Sequence, residues 1–337
     1  MILNIMDHRY LSRWLACAML ILSCVECGER EPLQEKTTGG FPEDHVIRVS
    51  TEVVPATKGY HITDNITEFD LMVTDNTNAN PKYSFANTRF SKFASGEWIP
   101  DETRLWGGAG DKVDICAVAP CFSERDKWKI NSFFRQDSDY MCEIESNQSE
   151  GSKNSDYLSF TVSANVKDCL TDGKLKIQFV HMLSLVRVTF KLGTEFNNTG
   201  VPQSNIISDV VISGTNRSFL MKAGTNEDKL TAMNNTEATA SDVKPYYTEW
   251  HSAADKNGSC TSVYECILVP QSVAAGGLKI SFKADGKAYE WIASNDLTFF
   301  QNTVHSLTLK VGKDVVLAGG FTTDAWTETD GGKLETE

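Results

Sequence analysis

The chain has 337 residues, a formal net charge of −13 and a hydrophobic fraction of 41%. This hydrophobic content is enough for a buried core and argues against a disordered stalk, and the length allows one large or two ordinary domains. The negative charge argues against nucleic acid as a partner, because phosphate backbones repel an acidic surface.

The first element along the chain is an apolar run from Trp14 to Leu22 that follows Arg9 and Arg13. It is too short to span a bilayer comfortably and ends in a small residue followed by Cys24. This order predicts a signal peptide over residues 1–23 that closes on a lipobox, so that Cys24 becomes the lipidated first residue of the mature protein.

The lipobox differs from the usual pattern in one respect, because Leu22 is bulkier than the residue that normally stands two before the cysteine. An ordinary cleaved signal peptide or a membrane anchor is the alternative. The initiator is Met1 or Met6. Residues 24–40 are polar, and we interpret them as a tether between the lipid and the folded part of the chain.

Nine cysteines are present, of which Cys17 is lost with the signal and Cys24 and Cys27 lie at the tether. Six remain in the globular part: Cys116, Cys121, Cys142, Cys169, Cys260 and Cys266. An exported chain can join six cysteines in fifteen different ways, and buried thiols are the alternative. If Cys260 and Cys266 share one strand, about 20 Å separates them, which excludes a bridge between the two.

From residue 41 onward the dominant hydrophobic period is two. Apolar and polar residues alternate in eight runs: Ile47–Val53, Phe69–Val73, Val113–Ala119, Leu158–Val162, Leu175–Phe179, Val186–Phe190, Leu278–Phe282 and Leu307–Val311. This pattern predicts antiparallel strands that cover a core on one face. Asp285-Gly286 predicts a tight hairpin turn after the seventh run. The fold class is therefore all-β, made of β-sandwiches.

The length calls for two sandwiches rather than one. Two alternating runs follow each other near His181 with little turn chemistry between them. We place the boundary there, with an N-terminal sandwich over residues 41–182 and a C-terminal sandwich over residues 183–337.

No motif in the sequence supports an enzyme, a cofactor site or a metal site. His181 lies on the same strand face as Ile177 and Phe179, so we expect a hydrogen-bonded core residue. The other histidines have no metal-binding spacing, and no nucleophile elbow is present. Gly107–Lys112 lacks the spacing of a phosphate loop and precedes a strand. Three tryptophans could form a sugar-stacking platform, although core packing is the default: Trp98, Trp106 and Trp128.

Several fragments, in order, resemble the fimbrillin family, the lipoprotein precursors of donor-strand (type V) pili in Gram-negative anaerobes. The fragments that carry the resemblance are the lipobox at Cys24, the strand His45–Ser50 leading to Ala56–Gly59, Trp98 with Lys112–Pro120, Ile177–Val186, Leu268–Gln271, Gly286–Trp291 and Thr322–Trp326. Each fragment is weak alone, and the ordered set covers roughly residues 24–326.

The resemblance implies two tandem antiparallel sandwiches of transthyretin-like, Greek-key type. It also implies that a protease removes the first strand and that an extended segment of a neighbouring subunit fills the groove. The matching cleavage position here is Lys58, and the released strand would include Val46–Val54. Stalk proteins of the family commonly carry arginine at that position, which leaves room for a tip or accessory role. Arg48 is a poorer candidate because it lies within the strand. The donor segment would be Val315–Trp326.

The resemblance thus predicts a fimbrial subunit that serves adhesion at the cell outer membrane and cell surface. Its partners would be other fimbrial subunits, the outer membrane through the lipid, and ligands on host or bacterial surfaces. The alternative function is a surface glycan-binding lipoprotein of a polysaccharide-uptake system, which would have an exposed aromatic platform.

Overall fold

The computed structural model describes residues 37–38, 40–54, 61–75, 81–83, 87–121, 140–223 and 230–326. Within these ranges the chain forms strands and three short 3₁₀ helices, and no α-helix. No helix in the described part has the length and apolar character needed to cross a membrane. The predicted all-β fold class is therefore confirmed.

Eleven strands of the described part of the chain precede residue 182. They are β1 Thr37–Thr38, β2 Phe41–Pro42, β3 Val49–Val53, β4 Glu68–Asp75, β5 Thr88–Lys92, β6 Trp98–Pro100, β7 Lys112–Ala119, β8 Tyr140–Glu143, β9 Leu158–Asn165, β10 Leu170–Thr171 and β11 Lys174–His181. The 3₁₀ helices in this part span Pro81–Tyr83 and Val166–Cys169.

Thirteen strands follow within the described residues up to Trp326. They are β12 Ser184–Leu192, β13 Ile207–Thr215, β14 Ser218–Ala223, β15 Leu230–Asn234, β16 Ser241–Val243, β17 Tyr246–His251, β18 Thr261–Leu268, β19 Gln271–Val273, β20 Lys279–Ala284, β21 Lys287–Ile292, β22 Leu297–Phe299, β23 Thr303–Val311 and β24 Val316–Ala325. The third 3₁₀ helix is Thr194–Asn197.

The strands form one large sheet before residue 182 and several sheets after it. The large sheet has eight strands, in the order β10-β11-β9-β7-β4-β5-β6, with β3 paired to β11. The later part contains a five-stranded sheet, β17-β18-β12-β23-β24, and a four-stranded sheet, β16-β13-β20-β21. Most ladders are antiparallel, as predicted, but β3 pairs with β11 and β12 pairs with β23 in parallel.

Each of the eight alternating runs overlaps a strand of the structure, and the predicted turn is also present. Asp285 and Gly286 have φ angles of 50° and 77°. They join β20 to β21 with Ala284 opposite Lys287. Two consecutive positive φ angles are what a tight type I′ hairpin requires, and glycine adopts them without steric cost.

The buried apolar side chains form two clusters. One cluster contains only residues from Ile47 to Phe179, whereas the other is built mainly from Met182 to Trp326. The second cluster also contains Met72, Cys116 and Val118, which lie on the opposite face of the large sheet. β4 and β7 are therefore buried on both faces. The boundary at 182/183 stays a prediction.

One strand from the first half of the chain pairs with the second half. β8 pairs with β14, with Cys142 opposite Phe219. Shortly after β8, the buried side-chain amide of Gln148 donates to the carbonyl of Ile267 at 3.0 Å and accepts its N–H at 2.8 Å. Gln148 therefore satisfies both backbone groups of a residue in β18 that is 119 positions away.

Candidate functional site

The first long strand, β3, is an integral part of the core. Ile47, Val49 and Val53 are between 2% and 6% exposed and belong to the same buried cluster as the apolar face of β11. Their period of two directs these side chains to one face of the strand. The backbone of β3 pairs with β11 over five residues, from Val49 opposite Leu175 to Val53 opposite Phe179. Removing β3 would therefore leave an apolar groove beside β11.

Only one edge of β3 is occupied by this ladder. The N–H of Leu175 donates to the carbonyl of Arg48, and the N–H of Val54 donates to the carbonyl of Phe179. In a parallel ladder these bonds direct residues 48, 50, 52 and 54 toward β11 and the residues between them away from it. The other edge is held at its ends by the N–H of Ile47, which donates to Arg104, and the N–H of Val53, which donates to Thr63. The strand can therefore leave the sheet without breaking a second continuous ladder.

Arg48 is held by an ion pair at the surface of the fold. Its guanidinium makes two contacts with the Asp44 carboxylate, Nη1 to Oδ1 at 2.9 Å and Nη2 to Oδ2 at 2.5 Å. Hydrogen bonding to Arg48 lowers the pKa of Asp44 to about 2. Arg48 directly precedes β3, and its carbonyl accepts the first hydrogen bond of the ladder from Leu175.

Neither of the two predicted modification residues can be placed. Cys24 and Lys58 both lie outside the described residues. Lys58 falls between Val54, which closes the ladder on β11, and His61, where the described chain resumes. Lipidation at Cys24 and cleavage at Lys58 therefore stay predictions.

The last strand, β24, has a nine-residue backbone ladder but buries much less side-chain surface than β3. It pairs with β23 alone among the described strands, and most of its side chains are exposed. Val315 and Leu317 are 51% and 56% exposed. The end of the segment is different, because Trp326 is fully buried and its indole ring stacks on the imidazole of His181.

His181 is a hydrogen-bonded core residue, as the sequence predicts. Its Nδ1–H donates to Oδ1 of the fully buried Asp156 at 2.7 Å. The other carboxylate oxygen of Asp156 accepts the backbone N–H of His61 at 2.8 Å. The His61 ring donates from Nε2 to the carbonyl of Lys153 at 3.0 Å. This network joins β11, the residues after Lys58 and the end of the last strand. Its role is therefore to hold these three parts of the chain in place relative to one another.

Asp156 and Trp326 are the functional residues that sequence reasoning did not assign to the network around His181. Asp156 lies in a polar stretch without periodicity, and Trp326 lies far from His181 in sequence. Trp326 is the last residue of one fragment that carries the family resemblance, and His181 lies within another. The fragments do not indicate that the two side chains are in contact.

A third buried histidine, His305, lies where β23 contacts β24. Its Nε2 accepts the N–H of Phe300 at 3.0 Å, and its Nδ1 lies 3.1 Å from Oγ1 of Thr323 in β24. Burial lowers the pKa of His305 to about 4. Within the described ranges no group of three or more His, Cys, Asp or Glu side chains is arranged to hold a metal ion.

Two of the tryptophans considered for a sugar platform are core residues. Trp98 is 9% exposed and packs edge-on against Phe69, and Trp106 is fully buried. Trp128 lies outside the described residues. Neither placed tryptophan offers the exposed ring face that the glycan-binding alternative requires.

The six globular cysteines are thiols in the structure. Cys266 lies in β18 and Cys260 directly precedes that strand, in agreement with the exclusion of a bridge between them. Burial raises the pKa of the Cys116 and Cys266 thiols well above the usual range. Such thiols are inert at neutral pH.

Comparison with known proteins identifies the family. A sequence profile described as fimbrillin-like matches residues 51–326, from β3 to Trp326. The chain belongs to the fimbrillin-like family. Membership in this family implies a place in a cell-surface fimbria and assembly with other fimbrial subunits, and it suggests a role without catalysis. No curated protein sequence matches the chain significantly.

Solved structures share the fold of this fimbrillin-like chain. A protein from Bacteroides uniformis assigned to cell adhesion is 16% identical, with a TM-score of 0.55 over 85% of this chain and 100% of that one. One from Bacteroides ovatus with the same assignment is 10% identical, with a TM-score of 0.57 over 85% and 99% of the two chains. The C-terminally truncated tip fimbrial protein Mfa3 from Porphyromonas gingivalis is 11% identical, with a TM-score of 0.47 over 83% and 99%.

Proposed function

We propose that this fimbrillin-like chain is a structural, tip or accessory subunit of a cell-surface fimbria that serves adhesion. It is exported as a lipoprotein through Cys24, and it assembles by donor-strand exchange after cleavage at Lys58. The observation that carries the proposal is the position of β3, a core strand held along one edge that ends five residues before Lys58. A cut there releases the lipid, the tether and β3 together.

The groove left by β3 favours a replacement strand. Loss of Ile47, Val49 and Val53 uncovers the apolar face that they cover now. Each such side chain contributes about 1.5–3 kcal/mol when it is fully buried, so refilling the groove gains about 5–9 kcal/mol before ordering costs. Ladder hydrogen bonds to β11 add direction and register.

The C-terminal segment has the side-chain pattern that the groove accepts. Val315, Leu317, Gly319 and Phe321 repeat with a period of two, like Ile47, Val49, Thr51 and Val53. Both series are apolar at the first, second and fourth positions. Because Leu317 is exposed in the uncut chain, burying it in a neighbour would gain free energy. The donor segment would exchange its ladder with β23 for a ladder with the β11 of the neighbour.

In this proposal, residues 41–182 and 183–337 form two tandem transthyretin-like, Greek-key sandwiches, and the second sandwich supplies the donor segment. The partners are other fimbrial subunits, the outer membrane while the lipid remains, and ligands on host or bacterial surfaces.

Limited trypsin treatment tests the cleavage step. We expect the wild-type chain to lose residues up to Lys58 and to form oligomers that resist SDS without boiling. Lys58→Gln should stay monomeric under the same treatment, even if trypsin cuts elsewhere. An arginine-specific protease should trigger assembly only in Lys58→Arg. A cut wild-type chain that stays monomeric with residues 45–54 still bound contradicts the mechanism.

A pair of variants in β24 tests the donor step. Leu317→Asp changes an exposed side chain, so the uncut monomer should keep its stability, but a charge in the groove should prevent oligomers after cleavage. In the uncut chain a bulge at Gly319 places Thr322 on the same face as Leu317, but a regular strand in the groove would direct the two side chains to opposite faces. Thr322→Asp should therefore keep its charge out of the groove and assemble normally. Equal assembly of both variants would exclude this segment as the donor.

A further inference from the structure

A cleft of about 540 Å³ lies between β3 and the hairpin of β5 and β6, and the mechanism proposed above does not use it. Its walls include Val49 and Thr51 on one side, Lys92 and Trp98 on the other, and Lys174 at the start of β11. The volume is within the range of about 300–1,000 Å³ that is typical of ligand sites.

The open edge of β3 forms one wall of this cleft. Val49 and Thr51 direct their backbone N–H and C=O groups away from β11, because the parallel ladder uses the residues between them. On the same edge, the N–H of Ile47 donates to the carbonyl of Arg104, and the N–H of Val53 donates to Oγ1 of Thr63.

The backbone groups of Val49 and Thr51 have no such partner among the described residues. The edge is therefore closed at both ends and open in the middle, over a length that two or three extended residues would cover. Buried or half-buried backbone groups of this kind favour a ligand that can form ladder hydrogen bonds.

The cleft is also positively charged, although the whole chain carries a net charge of −13. Lys92, Lys174 and Arg48 line it, against Glu97 alone on the acidic side. The Arg48 guanidinium is already paired with Asp44. Lys92 lies over the Trp98 ring at 5.8 Å, and Lys174 has no ion-pair partner within the described ranges. The two lysines are thus the groups available to an anionic ligand.

We propose that this cleft binds an extended acidic peptide segment of a partner protein, which adds to the edge of β3 at Val49 and Thr51. Carboxylates of the peptide pair with Lys92 and Lys174. A peptide fits better than an acidic polysaccharide, because the unpartnered backbone edge matches a strand and the Trp98 ring is buried. The proposal goes beyond the assembly mechanism. If β3 is released at Lys58, the site belongs to the uncut chain alone.

Fluorescence polarisation with a labelled seven-residue peptide of alternating glutamate and valine tests this site on the uncut protein. We expect saturable binding that weakens about fivefold in Lys174→Gln, since one partly screened ion pair is lost. Lys176→Gln is the matched control, because Lys176 lies two residues along the same strand and pairs with Glu52 instead. It should bind the peptide as the wild type does.

A second probe separates strand addition from simple charge attraction. The same peptide with alternate amides N-methylated keeps its charge but cannot form the ladder, so it should not bind. The proposal is overturned if both peptides bind equally, or if Lys174→Gln and Lys176→Gln lose the same affinity for the peptide. The absence of saturable binding also overturns it. Tighter binding of polygalacturonate in competition with the peptide also overturns it, in favour of an acidic polysaccharide. Because none of these assays requires cleavage or oligomers, failure here leaves the donor-strand mechanism untouched.

Discussion

The indole ring of Trp326 lies parallel to the imidazole ring of His181, with ring centroids 3.8 Å apart and planes 4° from parallel. Asp156 fixes the imidazole from its edge through a 2.7 Å hydrogen bond. The end of the last strand is therefore attached to the end of β11 by a buried contact, while the ten residues before it are mostly exposed. This contrast makes Trp326 the anchor of β24.

We expect Trp326→Ala to destabilise the chain by about 3–5 kcal/mol, because it removes a fully buried aromatic side chain. Chemical denaturation measures this loss, and limited proteolysis should show earlier cutting within β24. Leu317→Ala, in the same strand, is the control and should change stability by less than about 0.5 kcal/mol. Similar losses in the two variants would show that Trp326 does not anchor the strand.

Asp156→Asn should cost about 2–3 kcal/mol although it preserves the side-chain shape. One carboxylate oxygen accepts the N–H of His61 and the other accepts Nδ1–H of His181. An amide can accept only one of these bonds and would set its own NH₂ group against the other donor. Asp168→Asn changes an exposed carboxylate bonded to Asn165 and serves as the control. Urea denaturation at pH 7 should show a lower free energy of unfolding for Asp156→Asn than for Asp168→Asn. Equal stability of the two variants would contradict the stabilising role of the Asp156 hydrogen bonds.

The stability of the chain should fall as the pH decreases from about 6.5 to about 4, in part through His305. Its pKa is about 4 when folded and 6.5 in its ordinary state, so the unfolded chain takes up the proton first. The contribution is fully present above about pH 6.5 and amounts to at most about 3 kcal/mol.

Denaturation midpoints at pH 7 and pH 4 measure this effect. His305→Gln keeps an acceptor but does not titrate, so it should lose less stability over this range than the wild type. His251→Gln, at an exposed histidine, should behave as the wild type does. If the denaturation midpoints of the wild type and His305→Gln changed equally with pH, His305 would not contribute to the pH dependence of stability.

Gln148→Ala should leave the N–H and C=O groups of Ile267 buried without their partner, at a cost of about 2–4 kcal/mol. Hydrogen exchange should show faster exchange at the Ile267 amide than in the wild type. Gln178→Ala is the matched control, because Gln178 is exposed and bonds to Glu52 on the surface. Unchanged protection of the Ile267 amide would contradict this prediction, because another group would then have to replace the hydrogen bonds of Gln148.

The sequence predicts the strands better than it predicts their partners. Alternation at Val113–Ala119 or Leu175–Phe179 reports which face of a strand is apolar, and the structure confirms these strands. It does not report pairing, so the parallel ladder between β3 and β11 could not be inferred. β24 was expected only as a donor-type segment, since Gly319, Gly320 and several threonines interrupt its apolar pattern.

The polar features of the site were the least predictable. The side chains of Asp156 and Gln148 lie in a stretch that has the composition of a surface loop, yet both are fully buried. Their burial depends on donors from His61 and Ile267, which are distant in sequence. Composition describes the average solvent preference of a segment, whereas one buried acceptor depends on which donors the fold brings to it.

The pairing of β8 with β14 has a consequence for the order in which the chain is made and folded. β8 leaves the ribosome well before Ser218–Met221, the residues that it pairs with. Until those residues are synthesised, β8 and Gln148 lack their hydrogen-bonding partners and are accessible to proteases and to other nascent chains. The second half of the molecule completes its fold by pairing with β8, which was synthesised earlier. The two halves therefore fold as one unit.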